Sequence, residues 1–184
     1  GNLLRRLTSK LIAAALADRA AEYLAPHQLG VGVRGGCEAI LHTVRQALEK
    51  EPGKWNLQCD FKNAFNLASR QTSLAEVEKV FPEALAWALT SYGAPSHLQY
   101  GDATISSGDG FHQGDPLAGL FFSLNLQPVI EIIEEEVPDL DVNAWFLDDG
   151  DQVGTLDQLR SVIDILLREG PPRGLYLSTS ITVP

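Results

Sequence analysis

The chain has 184 residues, 45% of them hydrophobic, and a formal net charge of −10. That length supports one sizeable core or a compact pair of subdomains. The longest apolar stretch, Leu117 to Ile133, is interrupted by Ser123, Asn125, Gln127, Pro128 and Glu131, which excludes a membrane span of the usual ~18–20 apolar residues.

The charge is unevenly spread. Residues 1–58 hold eight Lys and Arg against five Asp and Glu, residues 59–184 hold six against nineteen, and no Lys or Arg occurs from Val80 to Leu159. Phosphate binding depends on cationic side chains, so the second half is poorly equipped for it. The sequence starts at Gly1 and has no Met, as expected of a piece of a larger protein. Arg5, Arg6 and the Ala-rich run after them suit a transit peptide or an amphipathic helix, and the helix is the simpler reading. Cys37 and Cys59 are too far apart for a CxxC site. They read as reduced core residues, as in an intracellular protein.

In chain order, Leu4, Leu7, Leu11 and Leu16 predict a helix over Leu3–Leu24, ended by Pro26. A Gly-rich loop follows from Leu29 to Gly36. Cys37–Lys50 reads as a second helix with Ile40, Leu41, Val44 and Leu48 on one face, and Glu51-Pro52-Gly53 as a turn. Trp55–Phe61 alternates as a strand. Ser73–Tyr92 reads as helical, with Ser73 and Glu76 as a capping box and a break at Pro82. His97–Tyr100 and Ala103–Ser107 read as a hairpin around Gly101-Asp102. After the loop Ser107–Asp115, Pro116 stands at a helix N1 position and opens a long apolar helix to Glu136, ended by Pro138. Glu134-Glu135-Glu136 at that helix's C-terminus opposes its dipole. Val142–Leu147 and Gln152–Gly154 flank Asp148-Asp149-Gly150 as a second hairpin. Leu156–Glu169 is a helix, and Leu175–Val183 a final strand. The order is that of an α+β fold, a mainly antiparallel sheet with helices on one face. It divides into a helical region, 1–54, and a sheet-containing region, 55–184.

Three acidic residues stand at strand ends: Asp60, Asp148 and Asp149. An Asp-Asp pair at a hairpin tip reads most simply as a surface turn. Its functional reading is a metal site, since hard Mg²⁺ takes carboxylate oxygens and substrate phosphates. Gly30-x-Gly32-x-x-Gly35 matches a dinucleotide fingerprint, but Pro26-His27-Gln28-Leu29 before it is a poor strand and alternating parallel βα units are missing. The histidines His27, His42, His97 and His112 form no ligand spacing.

The neighbours of the acidic residues carry a resemblance. Asp60-Phe61-Lys62-Asn63-Ala64-Phe65-Asn66 resembles motif A of reverse transcriptases, and His112-Gln113-Gly114-Asp115-Pro116-Leu117 resembles motif B. Phe146-Leu147-Asp148-Asp149 resembles the aromatic-x-Asp-Asp box of motif C, and Gly174-Leu175-Tyr176-Leu177-Ser178-Thr179-Ser180 the end of motif D. All four occur in family order, and the set is similar to RNA-directed DNA polymerases of the non-LTR retroelement type. The resemblance implies a polymerase palm with a ferredoxin-like antiparallel sheet backed by helices (residues 55–184) and part of the fingers (residues 1–54).

It also implies roles. Asp60 and Asp148 would bind two Mg²⁺ ions with Asp149 beside them, and the backbone of Phe61 would help hold metal and triphosphate. Phe65 would be the steric gate that excludes a 2′-hydroxyl and favours dNTPs. Gln113 and Gly114 would approach nucleotide and template, Gly114 because no side chain fits. The implied partners are a nucleic-acid primer–template and dNTP. Two features depart from the family pattern: Ile181 stands where the family usually has a Lys, and Arg5, Arg6 and Lys10 lie downstream of the residues that clamp the triphosphate. These departures and the charge map set an expectation that the isolated chain does not polymerise. They also leave a second class of function open, a polymerase-derived domain that binds protein subunits of a larger assembly.

Overall fold

The computed structural model describes residues 3–178, with Leu98 described by its backbone alone. At its centre lies α6 (Ala118–Glu136), apolar nearly all round, which is the pattern of a helix buried on every side. Phe122, Leu124, Leu126, Ile130 and Ile133 have at most 1% of their surface exposed. Each such burial stabilises by about 1.5–3 kcal/mol before entropy is counted. Around it pack α1 (Leu3–Leu24), α4 (Arg70–Val80) and α7 (Leu156–Glu169). From α1, Leu16, Ala20 and Leu24 enter this core, spaced at the i, i+4 period. Leu4, Leu7 and Leu11 are exposed instead, so of the four apolar positions that predict α1 only Leu16 is used by the core.

A three-stranded antiparallel sheet, in the order β1 (Trp55–Cys59), β5 (Asp149–Gly154), β4 (Val142–Phe146), lies against α6. β4 alternates cleanly. Trp145 and Asn143 turn toward the α6 side, where Trp145 stacks on Phe61 and Asn143 donates to Glu134 at 2.9 Å. Val142 and Ala144 turn to the other face, where Ile40 and Val44 of α2 (Gly36–Lys50) close a second small core with Val153. The sheet therefore carries helices on both faces, not one, because the apolar stripe of α2 needs a partner. The acidic end of α6 is explained by the same packing. Glu134 accepts from Asn143 and faces His27 at 3.6 Å, and Glu136 pairs with Arg168 at 2.6 Å.

Several boundaries shift. The helix predicted over Ser73–Tyr92 is two helices, α4 and α5 (Pro82–Tyr92), with Pro82 in the first turn of α5. Its cap is Ser69, which accepts from the Thr72 N–H; Ser73 bonds back to the Ser69 carbonyl. A four-residue helix, α3 (Ala64–Leu67), precedes them. β1 ends at Cys59, and Phe61 makes an isolated antiparallel bridge with Leu177. Of the predicted strand Leu175–Val183, residues 179–183 lie outside the described residues. α6 begins at Ala118, two residues after Pro116. β2 (Ser96–Tyr100) and β3 (Ala103–Ser107) form a separate two-stranded hairpin. Cys59 is buried as expected, and burial pushes its thiol up to about 12, but Cys37, in the first turn of α2, is exposed. No described helix is long and apolar enough to cross a membrane.

Candidate active site

β1 and β5 pair in register from Trp55↔Gly154 to Cys59↔Gly150. One step further, Asp60 leaves β1 beside Asp149, the first residue of β5. β4 and β5 close through Phe146↔Asp149, so the hairpin turn is Leu147-Asp148, one residue earlier than the sequence suggests. The sheet thus brings all three acidic residues to one end of its strands. Burial, and then the charges of Asp149 and Asp60, raise the Asp148 carboxyl above its usual range. Burial, Asp60 and Asp151 do the same to Asp149. The carboxylates therefore feel one another. Asp60 and Asp149 open into a groove of about 610 Å³ between the sheet and α2, with Asp151 further along. Asp151 is held by the side-chain amides of Asn56 (3.0 Å) and Gln58 (3.4 Å).

Among the described residues no three Asp, Glu, His or Cys side chains are gathered ready to hold a metal. The donor set nevertheless suits a hard divalent cation such as Mg²⁺. It consists of carboxylate oxygens whose mutual repulsion a cation would relieve.

Phe61 is buried, stacked on Trp145 at 5.9 Å and edge-on to Phe122 at 6.5 Å. The bonds Lys62 N–H to Tyr176 O (2.7 Å) and Ser178 N–H to Asp60 O (2.8 Å) flank the Phe61–Leu177 pair, as in a non-hydrogen-bonded antiparallel pair. These two bonds leave the amide and carbonyl of Phe61 itself unused. Phe65 is half-buried and stacks on Phe122 at 4.8 Å.

Gln113 and Gly114 are exposed and line a different pocket, of about 210 Å³, with Arg5, Arg6 and His112. Space does not require glycine at 114: a Cβ there would touch nothing within 4 Å. Its backbone does, at φ 79°, in the left-handed region that glycine adopts freely.

Residues outside the four motifs hold this loop. Buried Arg70 donates to the carbonyls of Gly110 (2.7 Å) and Ser107 (2.9 Å) and lies over the Tyr92 ring. Asp115 accepts from the Tyr92 hydroxyl (2.7 Å), Arg5 (3.2 Å) and the Leu117 N–H (3.0 Å). Arg5 also donates to Nδ1 of His112 at 3.0 Å. Burial, then Arg5 and Arg70, lower the His112 pKa. Arg70, the first residue of α4, lies ahead of the helix predicted from Ser73, and a lone arginine there carries no sequence signal that it will be buried. Gln28, read as part of a poor strand, likewise carries no local signal of burial.

Two of the three glycines of the dinucleotide-like pattern serve packing. A Cβ on Gly30 would meet the Leu147 nitrogen at 2.7 Å, and one on Gly32 the Ala17 carbonyl at 2.7 Å. A helix, not a strand, precedes them.

No family model matches the sequence, and no curated protein is similar to it. Solved structures are. Telomerase from Candida tropicalis in complex with the TWJ fragment of telomeric RNA aligns with a TM-score of 0.66 at 13% identity, over 98% of this chain and 33% of that one. The Candida albicans telomerase in the same kind of complex gives 0.66 at 11% identity, over 98% and 35%. The Candida tropicalis enzyme truncated from its C-terminal domain gives 0.58 at 14%, over 98% and 40%. This chain thus spans roughly a third of the length of those it matches. At such identities the likeness concerns the fold, and the chain has the mixed α+β fold of a reverse-transcriptase-related polymerase.

Proposed function

We propose that this chain is the central portion of a reverse transcriptase, the palm and part of the fingers, built for template-directed nucleotidyl transfer to a DNA 3′ end. The observation that carries the reading is one end of the β1–β5–β4 sheet, where Asp60 stands close enough to Asp148 and Asp149 that its charge helps raise the pKa of both. In this reading Asp60 and Asp148 hold two Mg²⁺ ions, with Asp149 and the Phe61 carbonyl beside them. When bound, such ions activate the attacking 3′-hydroxyl and stabilise the leaving pyrophosphate. Phe65, braced by Phe122, limits the space beside the sugar 2′ carbon and favours dNTPs. Gln113 and Gly114 approach nucleotide and template from the second pocket. The non-LTR affinity rests on the motif residues alone.

A specific feature argues against activity of these 184 residues unaided. From Val80 to Leu159 there is no Lys or Arg, and a primer–template contact normally neutralises several phosphates. Primer extension with dNTPs and Mg²⁺ is the test, and the isolated chain is expected to give no product. Extension abolished by Asp148→Asn would overturn the inactivity and keep the chemistry. Extension indifferent to both Asp60→Asn and Asp148→Asn would overturn the assignment. The exposed Leu4, Leu7 and Leu11 of α1 favour a second reading, in which the chain docks on protein subunits of a larger assembly.

A further inference from the structure

The turn that carries Asp148 is an unusual one. Leu147, its first residue, has φ 57°, the position at which two-residue hairpin turns of type II′ take glycine. A branched side chain persists in this region only where its surroundings over-determine it. Those surroundings come from a segment distant in sequence. His27 to Leu29 runs parallel to β4, bridged at Gln28↔Trp145. Its backbone accepts from the Trp145 N–H and donates to the Trp145 carbonyl, each at 2.7 Å.

From there the Gln28 side chain, fully buried, reaches the turn itself. Its Oε1 accepts from the Leu147 N–H at 2.7 Å and from the Gly30 N–H at 3.0 Å, and its Nε2 donates to the Leu147 carbonyl at 3.0 Å. One carboxamide therefore satisfies both backbone groups of the one residue that needs restraint. The half-buried Leu147 side chain packs close to Gly30 and Gly119 at the same time. A Cβ on Gly30 would meet its Cγ at 2.9 Å, and one on Gly119 would lie 3.4 Å from its Cδ2.

We propose that Gln28 is a positioning residue: its carboxamide locks the Leu147 peptide in the left-handed conformation and so fixes where the Asp148 carboxylate stands. This rests on the reading of Asp60, Asp148 and Asp149 as a metal site. It adds that the site's geometry is set from the helical region, through a group that touches neither substrate nor ion. Of the two functions of the amide, the acceptor toward Leu147 N–H would survive in Gln28→Glu, whereas the donor toward Leu147 O would not. Gln28→Met keeps the length and removes both.

The test combines two readouts on the 184-residue chain. The first is amide hydrogen exchange at Leu147 in metal-free protein. The second is Mn²⁺ affinity by electron paramagnetic resonance. Gln28→Met is expected to lose protection at Leu147 and to bind Mn²⁺ roughly tenfold more weakly, the lower end of what outer-shell partners of metal ligands command. Adding Leu147→Gly, which takes φ 57° without strain, should restore Mn²⁺ affinity but not the hydrogen bonds. Rescue of this kind would not follow from a merely structural role. If Gln28→Met does not fold, Gln28→Glu is read in the same way, with a smaller loss expected. Wild-type Mn²⁺ affinity in a folded Gln28→Met or Gln28→Glu protein would overturn the proposal. Absence of Mn²⁺ binding by the wild-type chain would instead sink the metal-site reading beneath it.

Discussion

Gly114 and Gly110 both have positive φ, 79° and 70°, yet they differ in what surrounds them. A Cβ on Gly114 would touch nothing, whereas one on Gly110 would lie 2.3 Å from the Asn66 carbonyl oxygen. Gly114→Ala is therefore expected to cost only backbone strain, about 1–2 kcal/mol. Gly110→Ala adds a backbone clash and should reach the ~4 kcal/mol and above that marks exceptional substitutions; urea unfolding of the two variants reads the difference. His112 makes a pH prediction. Its folded pKa lies below the unfolded value of about 6.5, because burial and then Arg5 and Arg70 disfavour the imidazolium. The unfolded chain thus binds the proton more readily. The associated stability is present above pH ~6.5 and is lost as pH falls through the depressed folded pKa. Between pH 7 and pH 5.5 the urea midpoint should fall further in the wild type than in His112→Gln.

At the scale of elements, the loop Ser107–Asp115 is held from outside by Arg70 of α4, Tyr92 of α5 and Arg5 of α1. Arg70 supplies two carbonyls of that loop with donors from a buried position. Arg70→Met would take this donor from both, at about 1–3 kcal/mol for the carbonyl of buried Gly110. Hydrogen exchange should quicken selectively over residues 107–115, while the ladder between β1 and β5 keeps its protection. Exchange that quickens everywhere equally would contradict a local clamp.

Elements were also the scale at which the sequence was most legible. The helix at Leu156–Glu169 matches to the residue, with Thr155 capping its start, and the helix ahead of Pro26 ends at Leu24 as expected. The split at Phe81 was only half visible. Pro82 signalled it, but the cap at Ser69 competed with Ser73, and only the carbonyl geometry decides between two serines four residues apart. The turn at Leu147-Asp148 was misplaced by one residue. Asp-Gly at 149–150 is the stronger local turn signal, and the tertiary grip of Gln28 on Leu147 overrides it.

For the molecule as a whole, the four motifs gave the polymerase fold, and the solved telomerases share it. What could not be read was which residues support the site. Gln28, Arg70, Tyr92 and Asp115 act through contacts 23 to 119 residues apart in sequence, and no local pattern announces such pairs. The sequence could not reveal either that Asp60 and Asp149 share a groove with α2 while Gln113 and Gly114 line a separate pocket with α1. The acidic surplus of residues 59–184 makes sense if cations, from metal or from other parts of a larger protein, complete this face.

The central claim is that Asp60, Asp148 and Asp149 form one divalent-cation site, and a Mn²⁺ titration of the wild-type chain and of Asp60→Asn, Asp148→Asn and Asp149→Asn tests it most directly. The wild type should bind Mn²⁺. Each variant should bind roughly tenfold more weakly or worse, at least the loss seen when even an outer-shell partner is removed. Asp102→Asn, exposed at the tip of the β2–β3 hairpin, should leave binding unchanged. A wild type that does not bind Mn²⁺, or three variants that bind it as the wild type does, would contradict the account.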